Sequence, residues 1–231
     1  MSQFAPEDTA RHYESSHHRI VELARSLSDE QLAARIPATP RWVVHDALAH
    51  LAANTTDGLA GRITGLPDDA FTDEQVRQRK DMSVEEIVAE WQGNMPAILD
   101  ATRAGFVPPN IAVDAVTHEQ DIRGAVGAGR VEDREAVRFS LEVFAAGLVY
   151  QLSKADGLAL RLVATDSDFS VVAGSGEQPA TLRATEFELL RVLSGRRGRR
   201  NVLALEWEGD GAAYLPWLNM FGEVPDYDVV D

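Results

Sequence analysis

The period of the apolar residues divides this chain into a longer helical part and a shorter mixed part. Over the first 155 residues, apolar side chains recur at three- and four-residue spacing, as they do on one face of an α-helix. After Gly157, apolar and polar residues alternate in LALRLVAT and FSVVAG, which is typical of half-buried β-strands. The sequence therefore predicts an α+β protein with two domains: a four-helix bundle over residues 1–155 and a small α+β domain over residues 156–231.

Capping and turn residues delimit the predicted elements. Ser83 with Glu86 is a capping box that opens a long helix, and we expect Thr39 and Asn110 to cap two others. In the second part we predict a β-hairpin, a third strand in ATLRA and a helix that follows Thr185. The run VLALEW then predicts a fourth strand, followed by a last helix. The first part is predicted to contain four main helices and a minor one, over residues 5–27, 42–63, 84–102, 111–125 and 133–154.

Charge and composition exclude several classes of protein. The net charge of −15 argues against a nucleic-acid partner, because a phosphate backbone requires a basic surface. The one basic run, GRRGRR at residues 195–200, is interpreted as a solvated loop, with an anion site as the alternative. The chain has no cysteine, which excludes disulfides and thiolate ligands of its own. It also lacks an apolar signal segment or membrane-spanning run, so we expect a cytoplasmic protein without a membrane partner, and a homo-oligomer is left open.

The segment NIAVDAVTHEQDIRGAV, residues 110–126, carries an unusual number of ionisable groups for a short helix with a buried face. Asp114 and His118 are four residues apart, so both side chains lie on the same face of the helix. A carboxylate and an imidazole at this spacing recur as metal ligands in helical bundles. Two ligands do not complete a site, and a third must come from another helix.

The segment HDALAHLA on the second long helix offers that third ligand. His50 lies among alanines and leucines and is expected to be buried, whereas His45 is nearer the start of the helix. Three ligands with an open position are typical of a catalytic metal site rather than a structural one. The alternative is a core histidine with ordinary hydrogen bonds, next to a surface Asp–His pair. The metal hypothesis comprises His50, Asp114 and His118.

Three further residues are candidates for supporting roles. Asp46 shares a helix face with His50, and Asp121 and Arg123 follow His118 on its helix. These residues would orient the metal ligands, and Arg123 could instead bind a carboxylate of the substrate. The alternative is that they form ordinary ion pairs with their neighbours. Glu119 and Arg123 are four residues apart and are interpreted as a surface pair.

The two histidine-bearing segments together resemble a known family. RWVVHDALAHLAANTTD, followed some sixty residues later by DAVTHEQDIRGAVG, resembles the mycothiol-dependent maleylpyruvate isomerase family of the DinB-like helical-bundle superfamily. The tail FELLRVLSGRRGRRNVLALEWEGDGAAYLPWL is similar to the small C-terminal domain often appended to this bundle. The residues that match the two motifs are Trp42, Asp46, Leu48, Ala49, His50, Leu51, Asp114, His118, Glu119, Asp121, Ile122 and Arg123.

The resemblance implies a fold, a metal and a cosubstrate. It implies a DinB-like four-helix bundle in which a divalent metal, usually zinc, is held by His50, Asp114 and His118. It also implies mycothiol as an external thiol that takes part in thiol transfer or in cis–trans isomerisation of a small electrophilic substrate such as maleylpyruvate. No catalytic residue is expected beyond the metal ligands. One ligand departs from the family, since Asp114 stands where the isomerase is expected to have the longer glutamate.

Two other functions remain compatible with the same residues. A non-catalytic metal- or ligand-binding module would keep the bundle without turnover. A metal-dependent hydrolase would use metal-activated water instead of a thiol. Turnover without added thiol would favour the hydrolase, and a closed or metal-free site would favour the binding module.

Overall fold

The computed structural model of the protein describes residues 4–229. Within this range, the first half of the chain forms six α-helices. Contacts divide the chain into an N-terminal unit, Met1–Val131, and a C-terminal unit, Glu132–Asp231. No helix among residues 4–229 is both long and apolar enough to cross a membrane. The helices of the N-terminal unit are α1 (Pro6–Ser26), α2 (Asp29–Leu32), α3 (Val44–Leu59), α4 (Asp69–Arg79), α5 (Val84–Arg103) and α6 (Asn110–Val126).

The four long helices α1, α3, α5 and α6 form a bundle. Helix α1 packs against α5 and α6, and α3 packs against the same two helices, while the shorter α4 lies on α3. The bundle interior contains Trp91 of α5, whose indole Nε1–H donates to the Tyr13 hydroxyl of α1 at 2.8 Å. Both side chains are almost fully buried. The predicted helical bundle is therefore confirmed.

Local sequence sets the start of some of these helices but not of all. The capping box of Ser83 and Glu86 is present at the start of α5, as predicted. The prediction that Thr39 caps the second long helix is wrong, because α3 begins at Val44 and the Asp46 carboxylate accepts the Val43 backbone N–H at 3.0 Å. Asn110 does not cap α6 either, since it is already the first residue of that helix.

The C-terminal unit is a small sheet with helices. Its elements are α7 (Arg134–Leu152), β1 (Ala159–Ala164), β2 (Ser170–Gly174), β3 (Ala180–Ala184), α8 (Glu186–Leu193), α9 (Arg199–Leu203), β4 (Glu206–Glu208) and a 3-10 helix (Gly211–Trp217). The strand order is β2-β1-β3-β4, in which β1 pairs antiparallel with β2 and parallel with β3, and β3 pairs antiparallel with β4. The predicted hairpin and third strand are confirmed.

Two elements of this unit differ from the sequence predictions. The run VLALEW does not form one strand, because residues 199–203 are helical and only Glu206–Glu208 pair with β3. Helix α7 packs against α8 and β2 and groups with the C-terminal unit, although the sequence analysis assigned it to the bundle. The apolar face of α7 thus finds its partner in elements that follow it in the chain. The domain boundary after residue 155 stays a prediction.

Candidate metal centre

His50, Asp114 and His118 lie together in the N-terminal unit. His50 Nε2 is 3.4 Å from Asp114 Oδ2, and His118 Nε2 is 3.5 Å from Asp114 Oδ1. One donor atom from each of the three residues lies within 4.8 Å of the other two. We call these three residues the His–Asp–His cluster. Sequence spacing named the same three side chains.

Helix geometry accounts for half of this arrangement and packing for the other half. Asp114 and His118 are four residues apart on α6, so one helical turn brings both side chains to the same face. His50 comes from α3, which packs against α6. His50 and His118 are buried, whereas the Asp114 side chain keeps 30% of its surface exposed. The cluster is therefore walled by protein but open on the side of Asp114.

The types of donor atom fit a divalent cation. The His50 and His118 nitrogens lie 3.4 and 3.5 Å from two different oxygens of Asp114, and one donor atom from each residue lies within 4.8 Å of the others. This spread is wider than the separation of about 3.3–3.6 Å between two donors of a tetrahedral site, so the fit rests on the kinds of donor rather than on their spacing. Imidazole nitrogen with carboxylate oxygen is a donor set that suits zinc and several other divalent ions.

Two amide side chains contact His50, and the sequence analysis named neither of them. Gln75 Oε1, from α4, lies 2.9 Å from His50 Nδ1, and Asn54 Nδ2 lies 3.1 Å from His50 Nε2. Asn54 Nδ2 also donates to Asp114 Oδ2 at 3.0 Å. Asn54 is four residues after His50, so its position on the same helix face could have been predicted. Gln75 had no such signal, because it belongs to a separate helix in a polar segment.

Of the three predicted supporting residues, one adjoins the cluster. Asp121 Oδ2 lies 3.3 Å from His118 Nδ1, and the Asp121 side chain is fully buried. The contact has the distance of an ion pair but not the angles of a hydrogen bond. The Asp46 carboxylate instead accepts a hydrogen bond from the Val43 backbone N–H at the start of α3. Arg123 donates a hydrogen bond to Glu119 Oε1 at 3.3 Å.

Glu119 is not the surface residue that the sequence analysis described. Its side chain is only 1% exposed, because α1 packs over this part of α6. Arg19 of α1 donates to both carboxylate oxygens, from Nε to Oε1 and from Nη2 to Oε2, each at 2.8 Å. Glu119 is therefore a buried group that links two helices of the bundle.

Aromatic side chains border the cluster. The Trp42 ring centroid lies 5.0 Å from that of His50 and 5.8 Å from that of His118, with the second pair stacked.

The pKa of the Tyr13 hydroxyl is raised above its ordinary value, mainly by burial. The hydrogen bond from Trp91 lowers this pKa, and the negative charge of Asp114 raises it. Tyr13 therefore stays neutral over the whole physiological range.

The basic run at residues 195–200 is largely paired in the C-terminal unit. Arg197 donates to both carboxylate oxygens of Glu188, and Arg199 and Arg200 pair with Asp226 and Asp228. The interpretation of the whole run as a solvated loop is wrong, because Gly195, Arg196 and Gly198 are buried and α9 begins at Arg199. Only Arg199 and Arg200 are exposed.

Comparison with known proteins gives a match to one family model over part of the chain, and a fold. Residues 13–123 match the family described as mycothiol maleylpyruvate isomerase N-terminal domain. This range contains all three residues of the His–Asp–His cluster. No curated protein sequence matches the chain.

Two solved structures resemble the whole architecture. One is the crystal structure of the mycothiol-dependent maleylpyruvate isomerase H52A mutant, with a TM-score of 0.62, 13% identity and coverage of 100% of both chains. The other is the crystal structure of the mycothiol-dependent maleylpyruvate isomerase, with a TM-score of 0.58, 14% identity and coverage of 85% of this chain and 92% of that one. At this identity the likeness establishes the fold, a helical bundle followed by a small α+β domain. These matches confirm the resemblance to the mycothiol-dependent maleylpyruvate isomerase family that the two histidine-bearing motifs predicted, with residues 13–123 corresponding to its N-terminal domain.

Proposed function

We propose that this protein is a metal-dependent enzyme that uses a low-molecular-weight thiol, mycothiol, on a small electrophilic substrate. The reaction is thiol transfer or cis–trans isomerisation, with maleylpyruvate as the first substrate to test. One observation carries the proposal: two nitrogen donors and a carboxylate, from segments some sixty residues apart, converge within 4.8 Å. The matched family supports the choice of thiol.

The chain's own residues would divide the work as follows. His50 and His118 present imidazole nitrogens, and Asp114 contributes a negative charge that favours a cation between them. Trp42 shields the two imidazoles from water on one side, which strengthens electrostatic interactions there. The Asp114 side chain is 30% exposed, so the cluster can be reached by a ligand from solution on this side.

The bound divalent ion would supply Lewis acidity, which lowers the pKa of a thiol to the point where thiolate exists at neutral pH. The thiol must come from outside because the chain has no cysteine. An isomerisation of this kind consumes no thiol, since the carbon–sulfur bond formed on addition to the double bond is broken again on elimination. Zinc is the first ion expected, and manganese, iron and nickel suit the same donors. The cytoplasmic location and a homo-oligomeric state stay predictions.

Metal content tests the first half of the proposal. We expect about one divalent ion per chain in the purified protein, and its loss in His50→Ala and in His118→Ala. The matched control is His45→Ala, a histidine on the same helix whose Nε2 contacts the Met82 carbonyl oxygen at 2.8 Å. Full metal content in either cluster variant, or loss in the control as well, would contradict this ligand assignment.

Thiol dependence tests the second half. The metal-loaded protein is incubated with maleylpyruvate, with and without mycothiol, and formation of the trans isomer is followed by absorbance. Conversion that requires both the metal and the thiol supports the proposal. Turnover of ester or amide substrates without thiol would favour a hydrolase instead, and metal binding without any turnover would favour a binding module.

A further inference from the structure

His50 is held by polar partners on both ring nitrogens. Nδ1 faces Gln75 Oε1 at 2.9 Å, and Nε2 faces Asn54 Nδ2 at 3.1 Å. A histidine that binds a metal through Nε2 must carry its proton on Nδ1, and the partner of Nδ1 decides whether it does so. The orientation of the two amides therefore determines whether His50 can act as a ligand.

The buried carboxylate of Asp57 fixes the orientation of the Gln75 amide. Gln75 Nε2 lies 2.6 Å from Asp57 Oδ2, and this carboxylate oxygen can only accept a hydrogen bond. Arg62 donates to the other oxygen of Asp57 and keeps its charge balanced. The NH₂ group of Gln75 must therefore face Asp57, and its carbonyl oxygen must face His50.

The orientation of the Gln75 amide in turn fixes that of the Asn54 amide. Gln75 Nε2 also donates to Asn54 Oδ1 at 3.2 Å, so the Asn54 NH₂ group faces the cluster. The Asn54 NH₂ group donates one hydrogen bond to Asp114 Oδ2 and a second to His50 Nε2. His50 Nε2 must therefore be the unprotonated nitrogen that accepts this bond. Every hydrogen bond in this network of side chains pairs one donor with one acceptor only when His50 carries its proton on Nδ1.

We propose that Gln75 is a positioning residue of the metal centre. Its side-chain carbonyl holds His50 in the Nδ1–H tautomer, so that the Nε2 lone pair faces Asp114 and His118. Without this acceptor, the His50 proton can move to Nε2, where Asp114 Oδ2 lies 3.4 Å away and would attract it. The lone pair would then point away from the cluster. The inference rests on the proposed metal site for its consequence, but the tautomer itself is defined in the metal-free protein.

The tautomer is measured by ¹⁵N NMR of the histidine rings in metal-free protein, at about pH 8, where an ordinary histidine is neutral. His50→Ala assigns the signals. Wild type is expected to have His50 with the proton on Nδ1. Gln75→Met keeps the side-chain length but removes the acceptor, and we expect a shift to the Nε2–H form.

Two further variants guard against loss of folding and non-specific effects. Asp57→Asn has the same shape but can donate as well as accept, so it frees the Gln75 amide to turn and is expected to mix the two tautomers. Gln120→Met is the matched control, because it removes another buried glutamine carbonyl, one that accepts the Val131 backbone N–H. We expect the control to keep the wild-type tautomer.

Zinc affinity, measured by competition with a chromogenic chelator, gives the consequence for the metal. We expect Gln75→Met to bind zinc 10- to 100-fold more weakly than wild type, as is usual when the partner of a ligating histidine is removed. Unchanged tautomer in Gln75→Met and Asp57→Asn, or zinc affinity in Gln75→Met equal to that of Gln120→Met, would overturn the inference. If wild type binds no zinc, the proposed metal site fails, and the tautomer shift alone decides the role of Gln75.

Discussion

Removal of the Arg19 guanidinium is predicted to destabilise the N-terminal unit strongly, because it leaves the Glu119 carboxylate buried with less compensation. Both oxygens of Glu119 accept a hydrogen bond from Arg19 at 2.8 Å, and the side chain is 1% exposed. Breaking a buried ion pair from one side typically costs about 3–5 kcal/mol. Arg123 remains 3.3 Å from Oε1, and Arg19 itself is partly exposed, so the lower end of that range applies. We expect Arg19→Met to lower the free energy of unfolding by about 3 kcal/mol.

The reverse change is expected to cost less. Glu119→Gln removes the buried charge but keeps the shape, and the partly exposed Arg19 can be hydrated again, so the expected cost is about 1–2 kcal/mol. In the double variant Arg19→Met with Glu119→Gln, no unpaired carboxylate remains. Its cost should therefore fall below the sum of the single costs by at least about 1 kcal/mol.

The assay is urea unfolding followed by far-ultraviolet circular dichroism, at constant ionic strength. Arg77→Met is the control, because its pair with Glu74 lies on the surface and its loss is expected to cost less than about 0.5 kcal/mol. A cost for Arg19→Met similar to that of the control would refute the buried-pair reasoning. Strictly additive costs in the double variant would refute the coupling between the two side chains.

Three further predictions follow from the same unit. Burial, and to a smaller extent the nearby charge of His18, lowers the pKa of His17 from 6.5 to about 4. As the pH falls from 6.5 towards 4, the unfolded state therefore binds a proton that the folded state does not, and the free energy of unfolding should drop by about 2 kcal/mol. Urea unfolding at several pH values should show this drop in wild type and a smaller one in His17→Leu. Trp91→Phe removes the donor to the Tyr13 hydroxyl and part of a buried ring, and thermal unfolding should report a loss of about 2 kcal/mol, whereas no loss would mean that the site repacks. Zinc at about 100 times its dissociation constant should stabilise wild type by about 2.7 kcal/mol in thermal unfolding, and equal stabilisation of His118→Ala would contradict specific binding at the cluster.

Some features of the candidate site could be predicted because they depend on neighbours in the chain. Asp114 and His118 share a face because a helical turn is a local property, and the same spacing rule would have found Asn54 beside His50. That the cluster residues are metal ligands stays a prediction. Their proximity is a property of the structure.

Other features depended on packing between distant segments. Spacing alone made Glu119 and Arg123 a surface pair, and only the position of α1 over α6 buries Glu119. Gln75 reaches His50 because α4 folds back onto α3, which no periodic pattern in its polar segment indicates. The run VLALEW is apolar enough for a strand, yet the Asn201 side chain accepts the Gly198 backbone N–H at 3.2 Å at the start of a short helix.

The sequence by itself determined the long helices, the β-hairpin and the third strand, and which side chains of one helix share a face. These properties follow from a backbone geometry that repeats every few residues. The tertiary structure alone decided which faces meet: it assigned α7 to the C-terminal unit, buried Glu119 under α1 and brought Gln75 to His50. An amphipathic pattern fixes that a face must be buried, but it does not specify the partner. The partner is chosen by the packing of side chains that lie far apart in the chain.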